Sequence, residues 1–332
     1  MAKHVVIAGG LDNPRQLTRM RNGDFLVAEA GHGSTNPANC SGTGQNAICV
    51  GITGKVTRIH HGHAIHVMTG LLSGAGKDGT FATGPDGASH LPGGNYYAIM
   101  TGGSASQVPA GLPAWQLGRL IAKRPGGTLH SVANISAFEQ RRDPDGEGVD
   151  SNPYAVLALP GQILVADAAG DYIARVQAHR PSLWALLPEY GPKLDAVPTS
   201  IARGPHNKIY VGELHSEVPH AAKVWQYDRQ GHRLRSWGGF TTVTGVARGG
   251  DGSLYVSELF GGNCSFGDIP KCFPGRVTKV APDGTRTHVA VPFPAGIVTH
   301  AGRVYVNAFS VSPDTGFGGN PDWSGQLWQI FP

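Results

Sequence analysis

The sequence predicts an all-β fold, a six-bladed β-propeller with four-stranded blades, on three observations. Six times, an extended apolar run is followed by a Gly, Asn or Asp turn and a second β-rich run. The residue that opens each innermost strand can be followed through the chain, at Pro14, Pro85, Pro153, Pro198, Thr244 and Pro294. The last four of these positions lie about 40 to 50 residues apart, the length of a four-stranded blade.

The second runs share β-branched and aromatic residues, which favour strands. They cover residues 24–30, 95–100, 162–167, 208–213, 253–258 and 303–307. The first two repeats are longer because they contain insertions. We therefore interpret all 332 residues as one propeller domain with blades at about 12–71, 83–134, 151–188, 196–239, 242–290 and 293–331 plus 3–11.

The two ends of the chain are predicted to share the last blade. This blade has only three strands before the chain stops, and residues 325–330 form the third. Residues 4–8, followed by Gly-Gly-Leu, resemble the fourth strand of the first blade at 65–71. We expect this N-terminal strand to close the ring, which removes two free sheet edges. One short helix is expected at residues 135–142.

Composition excludes several classes of protein. A net charge of +4 is small and dispersed, whereas nucleic-acid binding needs a clustered basic face. No segment is long and apolar enough to span a membrane. We expect a monomer with a small-molecule ligand and with neither nucleic acid nor a membrane as partner. No P-loop, dinucleotide fingerprint or serine nucleophile elbow is present.

The four cysteines form two local pairs, Cys40 with Cys49 and Cys264 with Cys272, each inside a long loop. Neither spacing is typical of a zinc or thioredoxin motif, so two disulfides are predicted, with four free thiols as the alternative. Disulfides require an oxidising compartment. Since the N-terminus lacks the pattern of a signal peptide, we expect a secreted chain from which that peptide has been removed.

Loop lengths indicate which face of the disc carries the function. Turns between first and second strands, and between third and fourth strands, are short. The connections on the opposite face are long, and the predicted ones cover residues 31–53, 101–116, 134–150, 259–274 and 309–324. Long loops in a compact domain are usually functional, so this long-loop face is the predicted location of the site.

Several phrases together resemble the ScyD/ScyE family of secreted bacterial proteins. They are GLDNPR at 10–15, VAEAG at 27–31, CVGITG at 49–54, SNPY at 151–154, VADA at 165–168, VPTS at 197–200 and GGFT at 238–241. That family is named after a gene cluster for a sunscreen pigment and is similar to six-bladed propellers of the gluconolactonase and strictosidine-synthase type. The resemblance implies this fold and a secreted location, and it leaves the reaction open.

Polar residues at the starts of the inner strands are expected at the mouth of the central channel. They include Asn13, Arg15, Asp86, Asn152, Tyr154 and Thr199. In lactonase-type propellers such positions hold calcium, a hard cation with several oxygen ligands, so the resemblance implies calcium as a cofactor. Only Asp86 is anionic in this inner ring, and a metal site here would need further ligands.

A second set of acids recurs where second strands end, at Glu29, Asp167, Glu213 and Glu258. Their repetition favours an architectural role, in which each acid accepts hydrogen bonds from the following turn. The alternative is that some of them act as a base or a ligand. Glu29, beside His32 in the blade with the longest stapled loop, is the best candidate for that role.

Residues 143–150 have acids at alternate positions, Asp143, Asp145 and Glu147, and a Gly in sixth place, like the first half of a calcium-binding loop. The bidentate Glu that ends such a loop is absent. A solvated turn is therefore the alternative to a metal site.

These observations leave two classes of function. In the first, the protein is an enzyme of secondary metabolism, hydrolase-, lactonase- or synthase-like, that acts on an aromatic or amphipathic substrate. Glu29, Asp86 and Tyr154 are then its candidate catalytic residues. The candidate substrate-binding residues are Asn13, Arg15, His32, Trp115, Asn152, Thr199, Glu213, Glu258 and Trp323, and loop aromatics, also including Phe266, Phe273, Phe309 and Phe317, are expected to form a cup. In the second class, the same face is a non-catalytic extracellular binding surface.

Overall fold

The computed structural model describes residues 4–44, 47–188, 190–191 and 194–332, and it is a six-bladed propeller of antiparallel blades. β1 (His4–Leu11) comes first in the chain but pairs with the last strand. The strands of blade one are β2 (Pro14–Arg19), β3 (Phe25–Glu29), the short β4 (Cys40–Ser41), β5 (Ile48–His60) and β6 (His63–Gly76). Those of blade two are β7 (Pro85–His90), β8 (Tyr96–Met100), β9 (Arg119–Lys123) and β10 (His130–Asn134).

The helix α1 (Ile135–Arg142) leads from blade two to blade three. Blade three has β11 (Pro153–Leu159), β12 (Gln162–Asp167), β13 (Tyr172–Gln177) and β14 (Arg180–Leu186). Blade four has β15 (Pro198–Arg203), β16 (Ile209–Glu213), β17 (Ala222–Tyr227) and β18 (Arg233–Phe240). Blade five has β19 (Val243–Arg248), β20 (Leu254–Glu258), β21 (Arg276–Val280) and β22 (Arg286–Ala290). Blade six has β23 (Ile297–His300), β24 (Arg303–Ala308) and β25 (Gly325–Ile330).

Single 3₁₀ turns lie in the loops, at Pro37–Asn39, Ala105–Gln107, Ala114–Gln116, Pro205–Asn207, His215–Glu217, Phe266–Asp268, Phe317–Gly319 and Pro321–Trp323. No helix in the described part of the chain is both long and apolar enough to cross a membrane.

The predicted ring closure is confirmed. β1 pairs antiparallel with β25, with His4 opposite Ile330 and Leu11 opposite Gly325. On the inner side, Gly296 of blade six allows the first inner strand to approach closely, because a Cβ there would lie 2.0 Å from the backbone nitrogen of Leu17. The N-terminal strand β1 therefore forms the outer edge of the last blade, and the inner strand of blade one packs against the inner side of that blade.

The apolar core lies between the blades. Each of the six largest buried clusters combines side chains from two neighbouring blades. β8 shows why, since all five of its residues are buried and successive side chains alternate between neighbours: Ala98 packs toward blade one and Ile99 toward blade three. Strands buried on both faces form almost continuous apolar runs, which is the pattern that the repeats displayed.

Blade one differs from the prediction in one respect. The segment before residue 54, predicted as loop, is partly strand, because β5 begins at Ile48 and pairs with β6 as far as Gly76. The resulting two-stranded arm projects beyond the blade, and Cys49 on it is bonded to Cys40. The second predicted disulfide, Cys264 with Cys272, is also present.

Candidate functional site

The recurrent acids at the ends of second strands are all fully buried and serve as ties within their blades. Glu29, Asp167 and Glu258 each accept a hydrogen bond from a backbone N–H of the connection that enters their own blade, at 2.7 Å in each case. Glu213 instead accepts from the Tyr190 hydroxyl and from the Trp225 indole, both at 2.8 Å. The acids are therefore structural ties, but these backbone donors lie in the connection before the blade and not, as predicted, in the following turn; from the following turn, Gly170 donates to Asp167 at 3.4 Å. Substrate contacts for Glu213 and Glu258 stay predictions.

In blade one the entering connection contains a second acid, Asp12, which is completely buried. Its Oδ2 lies 2.7 Å from Nδ1 of His32 and 3.2 Å from Nζ of Lys55. Lys55 is also 3.6 Å from the Glu29 carboxylate. His32 keeps 29% of its side chain exposed, so a buried carboxylate fixes one ring nitrogen of an imidazole that reaches solvent. Asp314, from the long loop of blade six, lies 3.9 Å from the same ring nitrogen.

The charges in this cluster shift its proton affinities. The hydrogen bond to Asp12, opposed by burial, raises the pKa of His32 above its ordinary value. Burial works to raise the pKa of Asp12, but the hydrogen bond from His32 and the charge of Lys55 outweigh it and lower that pKa. Burial raises the pKa of Glu29 to about 7 despite the nearby Lys55. Glu29 is therefore close to its midpoint at neutral pH, while Asp12 is ionised.

Three of the residues predicted at the channel mouth, Arg15, Asp86 and Tyr154, lie together. Nε of Arg15 is 3.6 Å from Oδ1 of Asp86, and the charges of both act on the hydroxyl of Tyr154, whose pKa burial raises. Burial also raises the pKa of Asp86 to about 7, against the pull of Arg15. Glu29 does not join them, because its carboxylate is bound to Asp12, Thr57 and Lys55.

The channel-mouth cluster is enclosed rather than open. The guanidinium of Arg15 donates to the carbonyls of Ser310 and Ala82, and Arg15 and Asp86 are 9% and 3% exposed. Residues 77–83 reach from blade one to the loops of blades five and six: the Phe81 amide donates to the Val311 carbonyl, and the Phe81 ring packs 5.9 Å from Phe266. Asp86 and Tyr154 therefore lie beneath residues 77–83. Their catalytic roles stay predictions.

The predicted aromatic cup forms in part. Phe273 lies at its centre, with Phe309, Phe317 and Trp323 at centroid distances of 5.2, 6.0 and 5.2 Å. Phe266 joins through the fully buried Phe293 at 5.5 Å. Trp115 lies elsewhere, in a separate hollow beside α1.

Other predicted ligand-binding side chains hold the scaffold together. The amide of Asn13 donates to the carbonyls of Gly31 and Gly79, at 2.9 and 2.8 Å. Oδ1 of Asn152 accepts from the Thr101 hydroxyl, and the Thr199 hydroxyl donates to the Val243 carbonyl. Each of these contacts joins a blade or a loop to its neighbour.

A large open cavity of about 970 Å³ lies between the long loops of blades one and two. Its walls are mixed, with apolar Val50, Leu72 and Phe81 beside hydroxyl groups of Ser73 and Thr101. Residues around Gly79 form one wall of this cavity. His32 lies behind that wall, because a Cβ added at Gly79 would be 3.1 Å from the Cβ of His32. Apolar walls with a few polar groups are typical of a small-molecule site.

The predicted metal residues lie in the connection after α1. Carboxylate oxygens of Asp143 and Asp145 come within 4.8 Å of each other and of Glu139. Glu147 is not part of this group, and its amide donates to Oδ1 of Asp145. A second group that satisfies the same distance criterion consists of Asp12, His32 and Asp314.

Sequence reasoning missed Asp12, Lys55, Asp314, Glu139 and Phe81. One signal was present for Lys55: blades one and five share a basic residue and a Thr two positions later, Lys55 with Thr57 and Arg276 with Thr278. The other contacts involve irregular connections, and no repeat in the sequence encodes them.

The fold is shared with solved structures over almost the whole chain. The luciferin-regenerating enzyme has a TM-score of 0.57 at 9% identity, over 99% of this chain and 95% of that one. Regucalcin, a calcium-binding protein from Agrobacterium tumefaciens, has 0.55 at 12% identity, over 99% and 93%. A streptogramin B lyase has 0.54 at 12% identity, over 99% and 96%.

These neighbours are propellers of the gluconolactonase and virginiamycin B lyase type, and at such low identity they show the fold alone. Neither a protein-family model nor a curated protein matches the sequence. Membership in the ScyD/ScyE family therefore stays a prediction.

Proposed function

We propose that the protein is a secreted enzyme that hydrolyses a small amphipathic or aromatic molecule, with lactone hydrolysis as the reaction class, on its long-loop face. The observation that carries the proposal is the pair formed by the fully buried Asp12 and the partly exposed His32, 2.7 Å apart. The two disulfides support the secreted location. Enzymes among the fold neighbours support small-molecule chemistry.

In this proposal, His32 acts as a general base. Asp12 fixes the proton of the imidazole on Nδ1, which leaves Nε2 free to accept a proton from water. The hydroxide adds to the ester carbonyl carbon, the ring C–O bond breaks, and the imidazolium returns its proton to the departing alkoxide. Lys55 and Glu29 position Asp12, and they do not contact the substrate.

Two other Asp–His pairs explain why His32 is preferred. His232 with Asp228, and His60 with Asp24, have the same 2.8 Å separation, but both lie among the short turns of the opposite face. The His232 side chain is 76% exposed, against 29% for His32. Water screens an exposed pair, whereas a buried carboxylate orients and polarises its imidazole more strongly.

The cavity between blades one and two supplies the volume for a substrate. His32 does not line this cavity but lies behind the wall around Gly79, so the reacting carbonyl must extend past that segment to reach it. About 970 Å³ is at the upper end of the range for drug-sized ligands. Phe81 and Leu72 offer an aromatic or amphipathic molecule an apolar wall, and Ser73 and Thr101 offer hydrogen bonds. Calcium is not assigned to this site and is proposed for the cluster around Glu139.

The test is a screen of γ- and δ-lactones and aryl esters, monitored by proton release. Replacing His32 with Ala should lower kcat about 100- to 10,000-fold, the usual contribution of a general base, and His232→Ala is the matched control. Equal rates in the two variants would refute the assignment. Saturable ligand binding without turnover would favour the non-catalytic alternative.

A further inference from the structure

We propose that Glu139, Asp143 and Asp145 bind one calcium ion that fastens the end of α1 to the connection that follows it. Their carboxylate oxygens lie within 4.8 Å of one another. The site is separate from the His32 site and does not depend on the proposed function.

Glu139 provides the observation that points to a ligand. It is fully buried, and neither of its carboxylate oxygens has a hydrogen bond of normal geometry; the Tyr172 hydroxyl beside it donates to Asp167, at 3.2 Å. A buried carboxylate in this state loses hydration without compensation, which is costly. None of the ion pairs made by the described residues includes any of the three acids. A cation would supply the missing partner and remove the repulsion among them.

The backbone holds the three ligands in place. Asp143 ends α1 in the left-handed region, at φ 42°, and its amide donates to the Glu139 carbonyl at 2.8 Å. Oδ1 of Asp143 accepts from Gly148, and Oδ1 of Asp145 accepts from Glu147. No hydrogen bond in the described part of the chain uses the second oxygen of either Asp, so each can bind an ion.

Blade three leaves room for Glu139. Gly170, in the turn between β12 and β13, has no side chain, and a Cβ there would lie 3.0 Å from Oε2 of Glu139. The carboxylate of Glu139 therefore lies against this turn of blade three. Three carboxylates from a short, irregular segment suit Ca²⁺, which accepts variable oxygen geometry, better than Mg²⁺, which requires a near-ideal octahedron and retains its water.

The experiment is calcium titration of the chelator-treated full-length protein by calorimetry, with thermal melting in calcium and in chelator. We expect one equivalent of Ca²⁺ to bind and the Tm to rise by about 3 °C at millimolar calcium. Mg²⁺ should give a smaller shift. Absence of both binding and a Tm shift would overturn the proposal.

The variants locate the ion. Glu139→Gln keeps the side-chain volume, and Asp143→Asn keeps a residue that tolerates positive φ. Both should abolish binding and the Tm shift. Glu147→Gln should retain them, as should Asp314→Asn in the other cluster. Loss of binding in Glu147→Gln but not in Glu139→Gln would overturn the assignment, and loss only in Asp314→Asn would place the ion at His32.

Discussion

Blades one and five are built on the same set of four side chains, and a comparison of them shows how the candidate site arises. In blade five, Glu258 ends the second strand, Arg276 and Thr278 lie on the third, and His288 lies on the fourth. Thr278 contacts both Glu258 and His288, the latter at 2.8 Å. Blade one repeats this chain as Glu29, Lys55, Thr57 and His66, with Thr57 2.9 Å from His66.

The two blades differ in the cation and in the connection that enters the blade. Arg276 binds Glu258 through two N–H groups, at 2.8 and 2.9 Å, so that pair is complete. The residue whose amide bonds to the acid is Thr241 in blade five and Asp12 in blade one. Lys55 lies closer to Asp12, at 3.2 Å, than to Glu29, at 3.6 Å, and Asp12 also forms a hydrogen bond with His32. Asp12 in the connection, Lys55 in place of an Arg, and His32 in the following loop together replace a closed structural tie with a site that has an oriented, solvent-accessible imidazole.

The largest expected effect comes from making blade one like blade five. Asp12→Thr should lower kcat for the proposed lactone hydrolysis about 100-fold or more, because His32 loses its orienting partner. Asp12→Asn should also move the pH midpoint of the activity to lower values, since the bond to Asp12 raises the pKa of His32. A steady-state pH profile measures both effects. An unchanged profile would separate His32 from the reaction.

The next effect distinguishes the two acids by stability. Glu258→Gln should lower the free energy of unfolding by about 1.5 to 3 kcal/mol, because Arg276, which is 19% exposed, loses the charge of its hydrogen-bonded partner. Glu29→Gln should cost less than about 1 kcal/mol at pH 7. Its pKa of about 7 means that the wild-type side chain is already partly neutral there. Urea unfolding of both variants tests this, and equal losses would contradict the comparison.

A third prediction concerns pH. The unfolded chain releases the Glu29 proton near pH 4.5 and the folded chain near 7, so the folded state binds more protons between these values. Stability from this group is therefore full at low pH and falls as pH rises through 7, by up to about 3 kcal/mol. In Glu29→Gln the decline between pH 5 and pH 8 should be shallower by a comparable amount. An equally steep decline would show that Glu29 does not titrate in this range.

The smallest expected effect separates the two disulfides. Each fastens the long loop of one of these blades, and each closes a loop of about ten residues, worth about 2 to 3 kcal/mol. Replacing Cys40 and Cys49 with Ala should weaken ligand binding, because Ser41 and Ile48 line the cavity. Replacing Cys264 and Cys272 should leave it unchanged. Calorimetry with a bound ligand, beside circular dichroism for the blades, distinguishes the two outcomes.

The parts of the molecule that repeat were predictable from sequence. The repeated β-rich runs and the recurrent prolines located the blades and the closing strand, because blade geometry is local and is repeated six times. The enclosure of Arg15 was not predictable, since it depends on residues 77–83 reaching the loops of blades five and six. Asp12, Asp314 and Glu139 were missed for the same reason: their partners come from irregular loops, whose paths are set by tertiary packing.

The pairing of β1 with β25 has a consequence for biosynthesis. A ribosome makes β1 before the inner strands of all six blades and β25 after them, so a nascent chain that lacks β25 cannot close the ring. Until β25 emerges from the ribosome, the edges of β1 and β24 that pair with it are open and can associate with other chains. A truncated product would keep those edges open and become a substrate for proteases, so the ring structure itself distinguishes finished chains from unfinished ones.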